Sequence, residues 1–117
     1  WLAGRKLTPL RKWHRRGALR VATVTGRRTP EGGRLARMLW NDASINRVVG
    51  GKNADALVFI DPKKEDFAKE FASAGTKIVF ALHPKSVEDV EAMGGQLGGV
   101  KVFDSASRAF EAVKALK

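Results

Sequence analysis

Cysteine is absent from the 117-residue chain, which excludes disulfide frameworks, cysteine-based zinc sites and a thiol nucleophile at once. Long apolar runs are missing as well. The longest, Ala54 to Ile60, is interrupted by Asp55 and ended by Asp61, far short of the roughly 20 residues that a membrane-spanning helix requires. The N-terminal stretch has no continuous apolar core of the kind a secretory signal needs. Short motifs that name a reaction are lacking too: there is no G-x-G-x-x-G fingerprint, no Gly-Lys-Ser/Thr phosphate loop and no G-x-S-x-G nucleophile elbow. RGG repeats, zinc knuckles and an aromatic RNP pattern are also missing, so base-specific reading of RNA by a known module has no support.

Acidic residues are the most unevenly scarce. The first 30 residues hold nine of the 22 basic side chains and none of the 12 acidic ones, whereas the remaining 87 hold thirteen against twelve. Nearly all of the formal charge of +10 therefore sits in a basic arm on an almost neutral body. Such an arm suits nucleic-acid phosphates, anionic lipid or an acidic groove on another protein. Within it, Thr8 as N-cap, Pro9 at the first helical position, Leu10 to Arg16, and Gly17 past the end predict a short helix. Leu7, Leu10 and Trp13 form one stripe opposite the arginines. Packed back onto the body, that stripe would leave the arginines a solvated face; packed onto a partner, it would make the arm an anchor. The start at Trp1 fits a processed product or a portion of a longer chain; the Arg-rich, acid-poor composition points to an organellar address on the mitochondrial matrix side, while the capped helix pattern speaks against a cleaved presequence.

From Arg20 onward the patterning alternates. Val21 to Thr25 reads as a buried strand and Glu31 to Trp40 as a helix carrying Leu35, Met38 and Leu39 on one side. Ala56 to Ile60 is a second strand, with Asp61 and Pro62 expected as N-cap and first position of a helix bearing Phe67, Phe71 and Ala74 and stopped by Gly75. Lys77 to Leu82 is the third strand, and Ser86 with Asp89 resembles a capping box opening a helix with Val87, Val90 and Met93 on one stripe. Val100 to Phe103 is the last strand, before a helix capped by Asp104 or Ser105. Ile45, Val48 and Val49 could add an edge strand, but the residues before Ala54 are too few for a helical crossover.

Continuous apolar strands alternating with helices argue for a parallel sheet covered on both faces. The expected fold is a small three-layer α/β sandwich, Rossmann-like or flavodoxin-like, of about four strands. It occupies residues 20–117 as one domain behind an arm at residues 1–19. Ala54 to Pro84 resembles the strand-helix-strand unit of many Rossmann-type proteins, and Val102 to Val113 is similar to a strand and helix found in several of them. The resemblance implies the fold and selects no activity.

In open parallel sheets ligands lie outside the carboxyl ends of the strands, where the strand order reverses. Sequence places Gly26, Arg27, Arg28, Thr29, Pro30, Glu31, Gly32 and Gly33 there, with Asp61, His83 and Asp104. The glycine-rich segment could cradle a phosphate at a helix start, although Glu31 would oppose an anion. Asp61 and Asp104 could act as acid and base or simply cap helices. His83, followed by Pro84, could be a base or a loop residue; no ligand spacing around it suggests a metal. Gly94 to Gly99 reads as a flexible turn.

Charge, rather than any motif, sets the functional expectation. It is a non-catalytic structural component of a large organellar ribonucleoprotein, of the ribosomal-protein kind, with no cofactor, metal or small-molecule substrate. The partners are the rRNA phosphate backbone and neighbouring proteins. The candidate contacts are Arg5, Lys6, Arg11, Lys12, Arg15, Arg16, Arg20, Arg27 and Arg28, with Trp13 to stack or fill a pocket. Two other classes remain open at this point: an accessory structural subunit of a mitochondrial respiratory or ATP synthase complex, and a small nucleotide- or CoA-binding module using the strand-end crevice.

Overall fold

The computed structural model describes residues 18–70, 76–94 and 100–116. In chain order the elements are β1 (Leu19–Thr25), α1 (Pro30–Trp40), β2 (Ile45–Arg47), a 3-10 turn (Gly51–Asn53), β3 (Ala56–Ile60), α2 (Lys64–Glu70), β4 (Thr76–Phe80), α3 (Pro84–Ala92), β5 (Lys101–Phe103) and α4 (Ala106–Lys114). The expected arm helix with its stripe of Leu7, Leu10 and Trp13, the residues Phe71, Ala74 and Gly75, and the turn from Gly95 to Gly99 lie outside the described residues.

The five strands form one sheet in the order β2-β1-β3-β4-β5, and every neighbouring pair is parallel. The three-layer α/β reading is therefore the fold. β3 lies in the middle, with Val58 level with Thr23 on one side and Ile78 on the other. All five of its residues are buried. A strand covered on both faces has no reason to alternate polar and apolar residues, which is why Ala56 to Ile60 reads as an unbroken apolar run.

Period-two alternation instead sorts β3 between two cores. Ala56, Val58 and Ile60 join Val21, Ile78 and Phe80 under Leu35 and Leu39 of α1 and Ala109 and Val113 of α4. Leu57 and Phe59 join Ala22, Val79 and Ala81 under Phe67 of α2 and Val90 of α3. Phe59 and Phe67 meet at 4.9 Å between ring centroids with the planes tilted by 43°. Each such fully buried side chain stabilises the fold by roughly 1.5–3 kcal/mol.

The sheet has five strands where about four were expected, because Ile45–Arg47 pairs with the amino half of β1. The passage from β2 to β3 is short, as the sequence suggested, and contains no α-helix. Gly50, at φ 86°, turns the chain in a conformation that suits glycine, and the single 3-10 turn brings it to β3.

Candidate functional site

The strand order reverses between β1 and β3, so the loops following these two strands flank the position where folds of this kind hold ligands. Gly26 leaves β1 with its amide donating to the Ile60 carbonyl at 3.0 Å. A Cβ at this position would come within 2.6 Å of the Asp61 carbonyl and 2.7 Å of the Lys63 nitrogen, so the close crossing of the two loops demands glycine. Thr29 caps α1 by accepting the Gly32 amide at 3.0 Å. A cavity of about 300 Å³ at this helix start is lined by Thr25, Arg28, Thr29, Gly33 and Ile60 among others.

Asp61 is the centre of this end of the molecule. It is fully buried and has φ 43°, a left-handed conformation that Asp tolerates better than most side chains. One carboxylate oxygen accepts the amides of Leu82 at 2.6 Å and His83 at 2.9 Å; the other accepts the Thr29 hydroxyl at 2.6 Å. Its backbone amide donates to the Phe80 carbonyl, and its carbonyl accepts the Arg27 amide, both at 2.7 Å. The expected role of Asp61 as helix N-cap is thus corrected. Its side chain points across the sheet instead of forward, α2 starts only at Lys64, and the Lys63 amide is taken by Asp66 at 2.8 Å.

Ser86 and Asp89 are a second correction. They do not form a capping box, because α3 begins at Pro84 with His83 as N-cap, its Nδ1 accepting the Lys85 amide at 3.1 Å. Ser86 is instead fully buried and accepts Arg27 at 2.9 Å, while Asp89 pairs with the same guanidinium at 3.1 Å and the Pro62 carbonyl accepts it at 3.0 Å. Ser105, not Asp104, caps α4 by accepting the Arg108 amide. Asp104 is exposed and faces Arg108 at 3.6 Å. Glu31, which would repel a phosphate, faces the start of α4 and accepts the Ala106 amide at 3.3 Å.

The groups a strand-end enzyme would draw on are thereby engaged with one another. Gly26, Asp61 and His83 come together, and Asp104 stands apart. Of the three candidate RNA contacts among the described residues, Arg27 is held by Ser86 and Asp89, and Arg20 is paired with Asp55 at 2.9 Å. Arg28 is exposed with no described side-chain partner. Arg20 also lies at the opposite end of β1 from Arg27 and Arg28. Arg5, Lys6, Arg11, Lys12, Trp13, Arg15 and Arg16 fall outside the described residues.

The amino end of the sheet, from which the arm departs, has a different character. Lys114 donates to Asp42 at 2.6 Å, and Ser44 donates both its hydroxyl and its amide to the same carboxylate. The hydrogen bonds from Lys114 and Ser44 hold the Asp42 carboxyl down at about 2. The Arg20 guanidinium and amide hydrogen-bond Asp55 and lower its carboxyl below the usual range. Arg47, at the end of β2, lies over the Trp40 ring at 4.7 Å to its centroid and has no carboxylate partner among the described residues. Val49 in the following loop is 90% exposed. Arg20, Arg47, Val48, Val49 and Asn53 line an open groove of about 460 Å³.

Sequence reasoning passed over Arg47, Lys52 and Trp40. The signal was the edge strand at Ile45, which puts Arg47 beside the root of the arm. Comparison of the chain with protein-family models, curated proteins and solved structures finds no match.

Proposed function

We propose that the protein is a non-catalytic, RNA-phosphate-binding component of a large ribonucleoprotein such as a ribosome, with the α/β body as a rigid mount for a basic arm. The observation that carries this reading is the segregation of charge. Residues 1–17 contain six arginines and lysines and no carboxylate, whereas the body counters much of its own charge through five described ion pairs. A cluster of cations on one segment that carries no carboxylate is the electrostatic footprint of phosphate binding. The engagement of Asp61, Arg27, Ser86 and His83 within the fold supports a body that serves as a mount more than as a reaction site. No helix among the described residues is long and apolar enough to cross a membrane.

The test is RNA affinity as a function of salt. Four to six phosphate contacts predict a slope of log K against log salt of about −4. A chain cut before Ala18 should lose most of that slope. Affinity for RNA that is absent or indifferent to salt would end the reading. Saturable thermal stabilisation by a nucleotide or coenzyme would instead support the crevice as a small-molecule site.

A further inference from the structure

We infer that the body itself completes the RNA interface: Arg47, Lys52 and exposed Val49, on edge strand β2 and the turn after it, form a second phosphate-binding surface beside the root of the arm. The inference rests on the RNA reading above and adds a surface to it.

Position is the first argument. The arm joins the body at Leu19, and Leu19 is level with Ile45 in the sheet, two residues before Arg47. The β2 edge is thus the part of the sheet next to the point where the arm begins. Charge is the second. Asp42 and Asp55, the carboxylates described above near the root of the arm, are each committed to a cation of the body. Arg47 and Lys52 have no carboxylate partner among the described residues, so their positive charge faces solvent uncompensated.

Preorganisation is the third. The guanidinium of Arg47 is held over Trp40, which limits the rotamer freedom lost when it meets an anion and leaves its edge donors for phosphate oxygens. Val49 places an almost fully exposed apolar side chain in the same groove, where a ribose or base face would cover it. A purely acidic peptide would satisfy the cations but not that contact.

The experiment compares the full chain, Arg47→Gln/Lys52→Gln and the control Lys85→Gln/Arg108→Gln, which removes the same charge at the carboxyl end of the sheet. Each binds a fluorescent oligouridine over a range of salt. Each lost single-strand phosphate contact removes about 0.7 from the slope, or about 5-fold in affinity at 0.1 M salt, so the double variant should bind about 25-fold more weakly with a slope smaller by about 1.4. Lys52→Gln alone, at an exposed site away from Trp40, should show half the slope change even if the Arg47 substitution disturbs packing. The control should bind like the unmodified chain. Binding by the full chain that Arg47→Gln/Lys52→Gln leaves unchanged, or that the control weakens equally, overturns the inference while the arm reading stands. No salt-dependent binding by the full chain overturns both.

Discussion

Replacing Asp61 tests the account of the carboxyl end of the sheet, because one buried carboxylate there joins three loops. Asp61→Asn keeps the size of the side chain and suits the positive φ. The amide oxygen can still accept from Leu82 and His83, but the amide nitrogen now meets Thr29, whose hydroxyl already receives the Gly32 amide. Hydrogen bonds to a charged group contribute about 1.5–3 kcal/mol against about 0.5–1.5 for neutral ones. Weakening three of them by about 1 kcal/mol each predicts a loss of about 3 kcal/mol. Asp61→Ala leaves two partly buried amides without their acceptor, at about 1–3 kcal/mol each, and adds backbone strain of about 1 kcal/mol, a loss of about 3–7 kcal/mol. A body of this size has roughly 5–15 kcal/mol to lose. Asp61→Gly removes the same contacts without the strain, so it should be about 1 kcal/mol less destabilising than Asp61→Ala. Urea denaturation followed by far-UV circular dichroism measures all three. An Asn variant within 0.5 kcal/mol of the unmodified chain, or a Gly variant more stable than it, would refute the reasoning, since the second result would make backbone strain the dominant effect.

Further outcomes concern the glycines of α1 and the ion pair at the amino end of the sheet. Gly33→Ala should raise stability by about 0.5–1 kcal/mol through helix propensity, because its Cβ meets only Arg37 at 3.6 Å. Gly32→Ala, one residue earlier, should lower it by about 1–3 kcal/mol, its Cβ falling 2.7 Å from the Ile60 side chain; equal effects in thermal melts would contradict both. Asp42, with its carboxyl lowered to about 2 from 3.8, contributes stability that is fully present above pH 4 and is lost as the pH falls through about 2. With Lys114 37% exposed and solvent screening the pair, this amounts to about 1–2 kcal/mol, and Lys114→Met should flatten that acid limb in denaturant titrations against pH.

The elements that were plain in the sequence are those whose partners lie nearby or whose environment is uniform. The run Ala56 to Ile60 could only be a strand buried on both faces, and Leu35 and Leu39 at helical spacing placed α1. Asp61 and Ser86 were misread because their local setting permits a cap: Asp-Pro, and Ser three residues before Asp, are both helix-start patterns. Their actual partners lie far along the chain, Thr29 and Leu82 for Asp61 and Arg27 for Ser86, where no periodicity reaches. The short β2 edge was visible only as three apolar residues, and with it the basic groove beside the arm. The charge of the arm was fully legible, since counting residues needs no fold.

An all-parallel sheet has no hairpin, and that sets how this chain must find its shape. No two neighbouring strands can zip together from a tight turn. Pairing β3 with β4 closes a loop of about 20 residues, whereas pairing β1 with β3 closes about 35, with a loop-closure entropy that grows slowly with length. The β3-α2-β4 unit, with Phe59 already against Phe67, is the cheapest place to begin. Joining β1 to β3 closes the longer loop, so β1 and the root of the arm are expected to order after this unit, which φ-values at Phe67 and Val21 would check.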